Sequence, residues 1–275
     1  MSPIKGRRFT RALFTALALL VALPGLRAQE TNADLDNYKW RVTGMWWFSH
    51  PTGSVRGSTD QVEFDIDKDF SFGSYSTFTG AVDWHFKRKH HFTFATSPIY
   101  SNKTATMTRD ITFQGVTYHT GASVTADLNS LTFTPGYQYD IIRRRQGYLG
   151  LNVSIHLLDT EAKLAGIGTV NNVVATRTAS ASEFAALPVI GPTGRWYPIR
   201  DSSRLSLAGG FEGMYFFGYG NFIYSQGTVQ VALYKTLNFK AGYQLGTRLS
   251  IQGTNDHIGL RLTQQGPVAG LEGSW

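Results

Sequence analysis

Ser154, His156 and Glu161 put a hydroxyl, an imidazole and a carboxylate within eight residues. Those types can serve as nucleophile, general base and orienting acid. A second group, Asp83, His85 and His91, flanks a basic turn and offers metal ligands or a proton-transfer set. Neither group has a diagnostic spacing, and no G-x-S-x-G elbow or phosphate loop accompanies them. Routine polar residues on one face of a strand account for both more simply. A third set is charged: Arg41, Asp83, His85, Lys240 and Glu272 lie far apart in the chain. They can act together only if the fold brings several strand ends to one height.

The elements that must position these residues are strands. In Leu237–Leu245 one parity is wholly apolar and the other is polar or glycine. The same period of two runs through Leu131–Tyr139, Leu149–Leu157 and Leu205–Glu212. Such stretches exceed the usual soluble strand of about 5–6 residues and match the ~9–11 tilted residues that cross a bilayer. Ten strands are read: 38–48, 74–87, 90–100, 126–141, 147–158, 183–197, 203–217, 221–234, 237–251 and 258–275. In the last, the apolar parity switches near Gln264–Gly266, which predicts a bulge there.

Short connections alternate with long ones. The long ones are 49–73, 101–125 and 159–182; the second holds its own hairpin signal at Ile111–Tyr118, and the third, rich in Gly, Thr and Ala, reads as a loop. Aromatic residues gather at the strand ends. Trp40, Trp84, Tyr139, Tyr148, Trp196 and Trp275 lie on the short-turn side, with Trp46 and Tyr215 on the long-loop side. Amphipathic rings in two bands suit two headgroup regions.

Composition excludes most other classes. Only 16% of residues are charged while 13% are aromatic, which argues against disorder and coiled coil. There is no cysteine, so disulfide frameworks, thiol catalysis and zinc fingers are out. Lys5, Arg7, Arg8 and Arg11 precede the apolar run Ala12–Leu23, broken by Pro24-Gly25, with a cleavage point after Ala28. Residues 1–28 therefore read as a secretory signal and 29–275 as one domain. That leader holds five of the 26 basic residues and no acidic one, so the remainder carries 21 basic against 19 acidic residues. A near-neutral chain gives no nucleic-acid footprint.

Signal, even strand number, alternating loop lengths and a terminal aromatic on the apolar parity (Trp275, with Leu271 and Ala269) resemble the small outer-membrane β-barrels of Gram-negative bacteria, the OmpA/OmpW type. The resemblance implies an all-β fold: a single antiparallel up-and-down barrel of ten strands, with eight or twelve as alternatives. It also implies export, insertion by the barrel-assembly machinery, and a monomer among membrane lipid and lipopolysaccharide, with no cofactor. Some barrels of this kind hydrolyse lipid or peptide at the outer rim, and His156 stands at the matching height.

Function must then come from the lumen parity or the loops. Barrels of about eight strands are filled by side chains, and open channels need about 16 to 18. The functional expectation is a narrow or gated channel, with a closed scaffold or adhesion barrel and a hydrolase as alternatives. Arg41, Asp83, Lys240 and Glu272 are expected to form an ion-pair network at the short-turn mouth. Lys87–Lys89 and Arg143–Arg145 are expected either to meet anionic headgroups or simply to solubilise the turns. A soluble lipocalin-like barrel is the alternative fold, disfavoured because the lumen parity is polar.

Overall fold

In water, strands whose two faces differ in polarity hide the apolar face by stacking sheet on sheet; in lipid they gain by closing, with the polar face inside and the apolar face outward. The computed structural model describes residues 35–56, 64–70, 73–216, 220–251 and 259–275, and all their regular elements are strands. The signal and its cleavage point after Ala28 lie outside the described residues. The strands are β1 (Trp40–Arg56), β2 (Phe64–Asp65), β3 (Tyr75–Lys87), β4 (His90–Thr106), β5 (Ile111–Phe113), β6 (Val116–Tyr118), β7 (Ser123–Arg144), β8 (Gly147–Val170), β9 (Val173–Trp196), β10 (Leu205–Phe216), β11 (Gly220–Tyr234), β12 (Leu237–Ile251) and β13 (Gly259–Ser274). Ten of them, all but β2, β5 and β6, form the antiparallel wall, and β1 closes on β13 from Arg41↔Ser274 to Arg56↔Gly259.

The outward face carries an apolar belt. On β8, Leu149, Leu151, Val153 and Ile155 are 37–49% exposed. The belt from residue 149 to 157 rises about 21 Å along the barrel axis at a strand rise of ~3.4 Å and a tilt of ~40°, close to the ~25 Å apolar band of such barrels. Asp159, Glu161 and Lys163 continue the same face and mark where lipid ends.

Residues 159–182 are not a loop. β8 and β9 pair without interruption from Gly147↔Trp196 to Val170↔Val173, and Asn171 and Asn172 turn at φ 49° and 63°. Asparagine tolerates this left-handed region, so the pair makes the two-residue turn of a long hairpin. The small residues that resembled a loop are the inward parity of the hairpin: Ala162, Leu164 and Ala179 are buried. β7, β8 and β9, of 22, 24 and 24 residues, therefore stand well above the belt.

The lumen is not polar throughout. Along β7 the inward residues run Asp140, Gln138, Thr134, Thr132, Ser130, then Leu128, Ala126 and Val124. Charge gives way to hydroxyls and then to hydrocarbon. The upper part is filled by a cluster in which Phe64, Ile66 and Phe70 meet Phe113 and Tyr118 of the β5–β6 hairpin and Leu164 of the wall. The Phe64 and Phe113 rings lie edge to face at 5.5 Å. This gradient also explains the parity switch in β13. Leu262, Gln264 and Val268 all point inward, and the irregularity sits opposite, in β12 between Gln244 and Thr247.

Arg109 clamps the two capping segments with a bidentate pair to Asp69, Nε–Oδ1 3.0 Å and Nη2–Oδ2 2.6 Å. Burial pushes the Asp69 carboxyl up, but the Arg109 hydrogen bond and the Asp65 amide outweigh it and hold the group below its ordinary value. A depressed carboxyl stabilises above its unfolded value of about 4 and loses that contribution as pH falls through its folded value. Cap cleavage by added protease should therefore rise as pH drops below about 4. Arg109→Ala should show at neutral pH the sensitivity that the unmodified protein shows only in acid; equal profiles for the two would refute the clamp.

Candidate functional site

The short-turn ends of seven strands converge on one charged floor. Glu272 of β13, fully buried, accepts both ends of the Arg195 guanidinium from β9 at 2.7 and 2.8 Å. Arg41 Nε of β1 lies 3.3 Å from Glu272, and Lys240 Nζ of β12 lies 3.4 Å from it. Arg41 also reaches Asp83 of β3 at 3.8 Å. The structure thus brings Arg41, Asp83, Lys240 and Glu272 together. His85 joins differently: its ring stacks on His91 at 4.1 Å, and its Nδ1 meets the Tyr38 carbonyl at 3.1 Å. His91 spans two carboxylates, Asp83 and Asp140, each at 3.1 Å.

Several floor residues are not apparent from sequence. The segment before β1 folds into the mouth, where Asp36 and Tyr38 are 2% and 7% exposed. Asp36 meets Arg41 at 2.5 Å, Arg195 at 3.7 Å and the Tyr197 hydroxyl at 2.9 Å. Tyr38 donates to Asp83 at 2.5 Å. Asp36 precedes the first strand read from sequence, where no alternation marks it; Tyr38, read as the first residue of strand 38–48, instead lies before β1, which begins at Trp40. Arg195 was readable: it neighbours the lipid-facing Trp196, and parity turns it inward.

Two expectations are corrected here. Tyr148 does not belong to the aromatic girdle. It shares parity with Asn152 and His156, lines the lumen, and its ring lies 5.9 Å from that of His91. Arg143 does not meet headgroups. A register shift between Asp140 and Ile142 turns it inward, where it pairs with Asp140 at 2.6 Å and donates to the Asp36 carbonyl. Trp40, Trp46, Tyr139, Trp196 and Tyr215 are outward, 37–63% exposed. Trp84 stacks on Trp40 at 5.5 Å, and the Trp275 carbonyl accepts from the Trp40 amide at 2.9 Å.

Above the floor sits a second cluster. Asn152, Ser154 and His156 of β8 face Glu212 of β10, and the strand between them contributes Gly191, which has no side chain to block the reach. Asn152 Nδ2 donates to Glu212 Oε1 at 2.5 Å, Ser154 Oγ donates to Oε2 at 2.9 Å, and His156 Nε2 lies 3.4 Å from Oε2. Thr134 Oγ1 holds His156 Nδ1 at 3.2 Å. Glu161 is not part of this group; its odd parity puts it on the exposed outer face. Ser154 and His156 bind the same carboxylate rather than each other, so the serine proton is directed to Glu212. The arrangement is three donors on one carboxylate rather than a nucleophile paired with its base. Among the described residues, no His, Asp and Glu group is arranged to hold a metal ion. A cavity of about 350 Å³ spans the lumen from Arg41 and Glu272 up to Leu187 and Phe222.

Eight oppositely charged side chains in one floor are tolerable only as pairs. Glu272→Gln would leave Arg41, Arg195 and Lys240 facing one another. It should cost about 3–5 kcal/mol in unfolding from detergent or lipid. Adding Lys240→Met should recover part of the loss, and a full-strength Glu272→Gln barrel would show that the floor does not carry stability.

No family model matches this chain, and no curated protein matches it. Among solved structures it is similar to the outer membrane protease OmpT of Escherichia coli, with a TM-score of 0.57 at 10% identity over 86% of this chain and 96% of that one. It also aligns, at TM-scores of 0.35 and 0.36 and 8% identity, with Ail of Yersinia pestis (85% of this chain, 99% of that one) and the toluene transporter TodX of Pseudomonas putida (86% and 90%). At these identities the likeness is one of fold, and the fold of this chain is that of a ten-stranded outer-membrane β-barrel.

Proposed function

We propose that this protein is a closed barrel of the bacterial outer membrane, exported by its N-terminal signal, whose lumen passes no ions along its axis. The observation that supports this is occlusion at both ends. The short-turn mouth is filled by the paired floor and by Asp36 and Tyr38, which the segment before β1 inserts into it. The far end is filled by the Phe64–Phe113–Leu164 cluster and held by the Arg109–Asp69 clamp. An ion on the axis would have to break a buried charge network and then cross hydrocarbon. The closed-scaffold reading is thereby favoured over a narrow or gated channel. The tall β7–β9 wall supports a role at the outer rim, where Val173 and Val174 at the hairpin tip are 56% and 66% exposed.

The test is single-channel recording of the chain from Gln29 to Trp275, refolded and inserted in a planar bilayer, with heat-modifiable mobility as the control for folding. A silent bilayer is expected. Discrete conductance steps from folded protein would overturn the closed reading and restore the channel.

A further inference from the structure

Glu212 is out of balance with its surroundings. In the floor, four carboxylates (Asp36, Asp83, Asp140 and Glu272) stand against four cations (Arg41, Arg143, Arg195 and Lys240). Glu212 has no lysine or arginine among the described residues within ion-pair reach; its one such contact is His156, at 3.4 Å. Its other donors, Asn152 and Ser154, are neutral. Neutral donors satisfy the carboxylate oxygens without supplying a counter-charge. A carboxylate buried at the level of lipid is costly unless a cation stands beside it.

The oxygens around Glu212 are placed to receive that cation. A carboxylate accepts about four hydrogen bonds, and the three from Asn152, Ser154 and His156 leave room for another. Asn152 gives its Nδ2 to Glu212, which turns its Oδ1 away. The residue is 8% exposed, and that Oδ1 is buried with no hydrogen-bond partner. Next to it, Gly136 of β7 leaves a notch. A Cβ built there would stand 3.4 Å from Asn152 Oδ1 and 2.5 Å from Thr93 Oγ1 of β4. A group seated in the notch therefore meets an amide oxygen and a hydroxyl, close to a carboxylate. Oxygens alone call for hydrogen-bond donors, and the carboxylate calls for donors that carry positive charge.

Carbon completes the site. Trp47, Phe222 and Tyr224 line the same cavity, together with Leu187, Leu249 and Leu262. The Phe222 ring lies 4.5 Å from that of His156, beside the carboxylate. Aromatic faces attract cations, and the leucines suit a short hydrocarbon. The cavity of about 350 Å³ is at the lower end of small-molecule pockets, which span about 300–1,000 Å³. It has room for an amine of a few carbons and none for a peptide. We propose that the lumen is a binding chamber for a primary ammonium ion on a short apolar tail, seated against Glu212, Asn152 and Thr93 and enclosed as the barrel folds around it. The site stands whether or not the barrel conducts; only the enclosure rests on the closed-barrel reading.

The chain from Gln29 to Trp275 would be refolded into lipid nanodiscs and unfolded by heat with n-butylammonium, 1-butanol or tetramethylammonium present throughout. Loss of the heat-modifiable gel band reports unfolding, and a ligand of the folded state raises the midpoint saturably. n-Butylammonium is expected to do so at a concentration about tenfold below that needed of 1-butanol, its uncharged analogue. Tetramethylammonium, a cation without an N–H, should leave the midpoint unchanged. Glu212→Gln should erase the difference between amine and alcohol. Gly136→Ala keeps the carboxylate and fills the notch, so it should weaken the amine about tenfold and serves where Glu212→Gln does not fold. Radiolabelled n-butylammonium present during refolding should stay with the barrel through gel filtration.

A midpoint that n-butylammonium does not shift, or shifts as far in Glu212→Gln and Gly136→Ala as in the unmodified barrel, would overturn the site. Equal action of the amine and the alcohol would overturn the role of charge, and equal action of tetramethylammonium would overturn recognition through N–H donors. Label lost on gel filtration from a barrel whose midpoint still rises would refute the enclosure and the closed-barrel reading, and leave the site in place.

Discussion

The structure depends on one constraint: in hydrocarbon no backbone N–H or C=O can go without a partner inside the wall. Closure of β1 on β13 meets it, and the Trp40 and Trp275 backbones bond reciprocally at that junction. Once the wall closes, strand parity assigns every side chain to lipid or lumen. A lumen walled by ten strands is too narrow for bulk water to dominate, so its contents must satisfy one another. The charged floor, the hydroxyl middle and the hydrocarbon cap are three solutions to that problem at three heights. Water is available near the short-turn mouth, and charge is placed there. Lipid surrounds the middle, and neutral hydroxyls and amides are placed there, with Glu212 held by three donors. Above the lipid the wall stands free, and the barrel is packed like the core of a soluble protein.

The floor shows why the segment before β1 has to fold inward. Glu272 alone faces Arg41, Arg195 and Lys240, an excess of positive charge in a site that excludes water. Asp36 brings a second carboxylate to Arg41 and Arg195. Buried ion pairs gain little against apolar packing but lose heavily when one member is removed. The network is therefore better understood as a fastener of specific register than as a source of net stability. Each carboxylate is matched to guanidinium or imidazole groups from different strands, so a slip by one residue would break several pairs at once.

What the sequence made legible follows from the same constraint. Alternation of period two revealed the ten wall strands, because lipid on one side and a packed lumen on the other leave a strong chemical contrast. The floor residues Arg41, Asp83, Lys240 and Glu272 were readable by counting in from the strand ends. Legibility failed where the contrast failed. In residues 159–182 small and polar residues are scattered over both faces among a few apolar ones, so the alternation is weak and only the pairing reveals a hairpin. Tyr148 carries the side chain of a girdle residue on the lumen parity, and parity decides. Arg143 changed sides through a register shift that no composition reports. Asp36 lies outside any periodic segment, and Tyr38, at the start of the strand read over 38–48, enters the mouth rather than the wall. The Glu212 cluster needs three strands and a glycine between two of them, a relation that a linear reading cannot assemble.

The same rule that demands closure also determines where a wall can part. Separating two strands in lipid normally strands donors and acceptors, each at a cost of several kcal/mol. A proline at the seam removes the donor, so the strands diverge with less left unsatisfied. Pro98 stands where the β3–β4 ladder has ended. The β9–β10 ladder shows a related pattern. It is continuous from Leu207↔Trp196 to Gly210↔Thr193, omits the pair of Pro192 with Phe211, and resumes only at Gly213↔Ile190. The two thin seams are well separated around the ring of ten strands. A wall of paired strands is thus weakest where a proline faces the ladder.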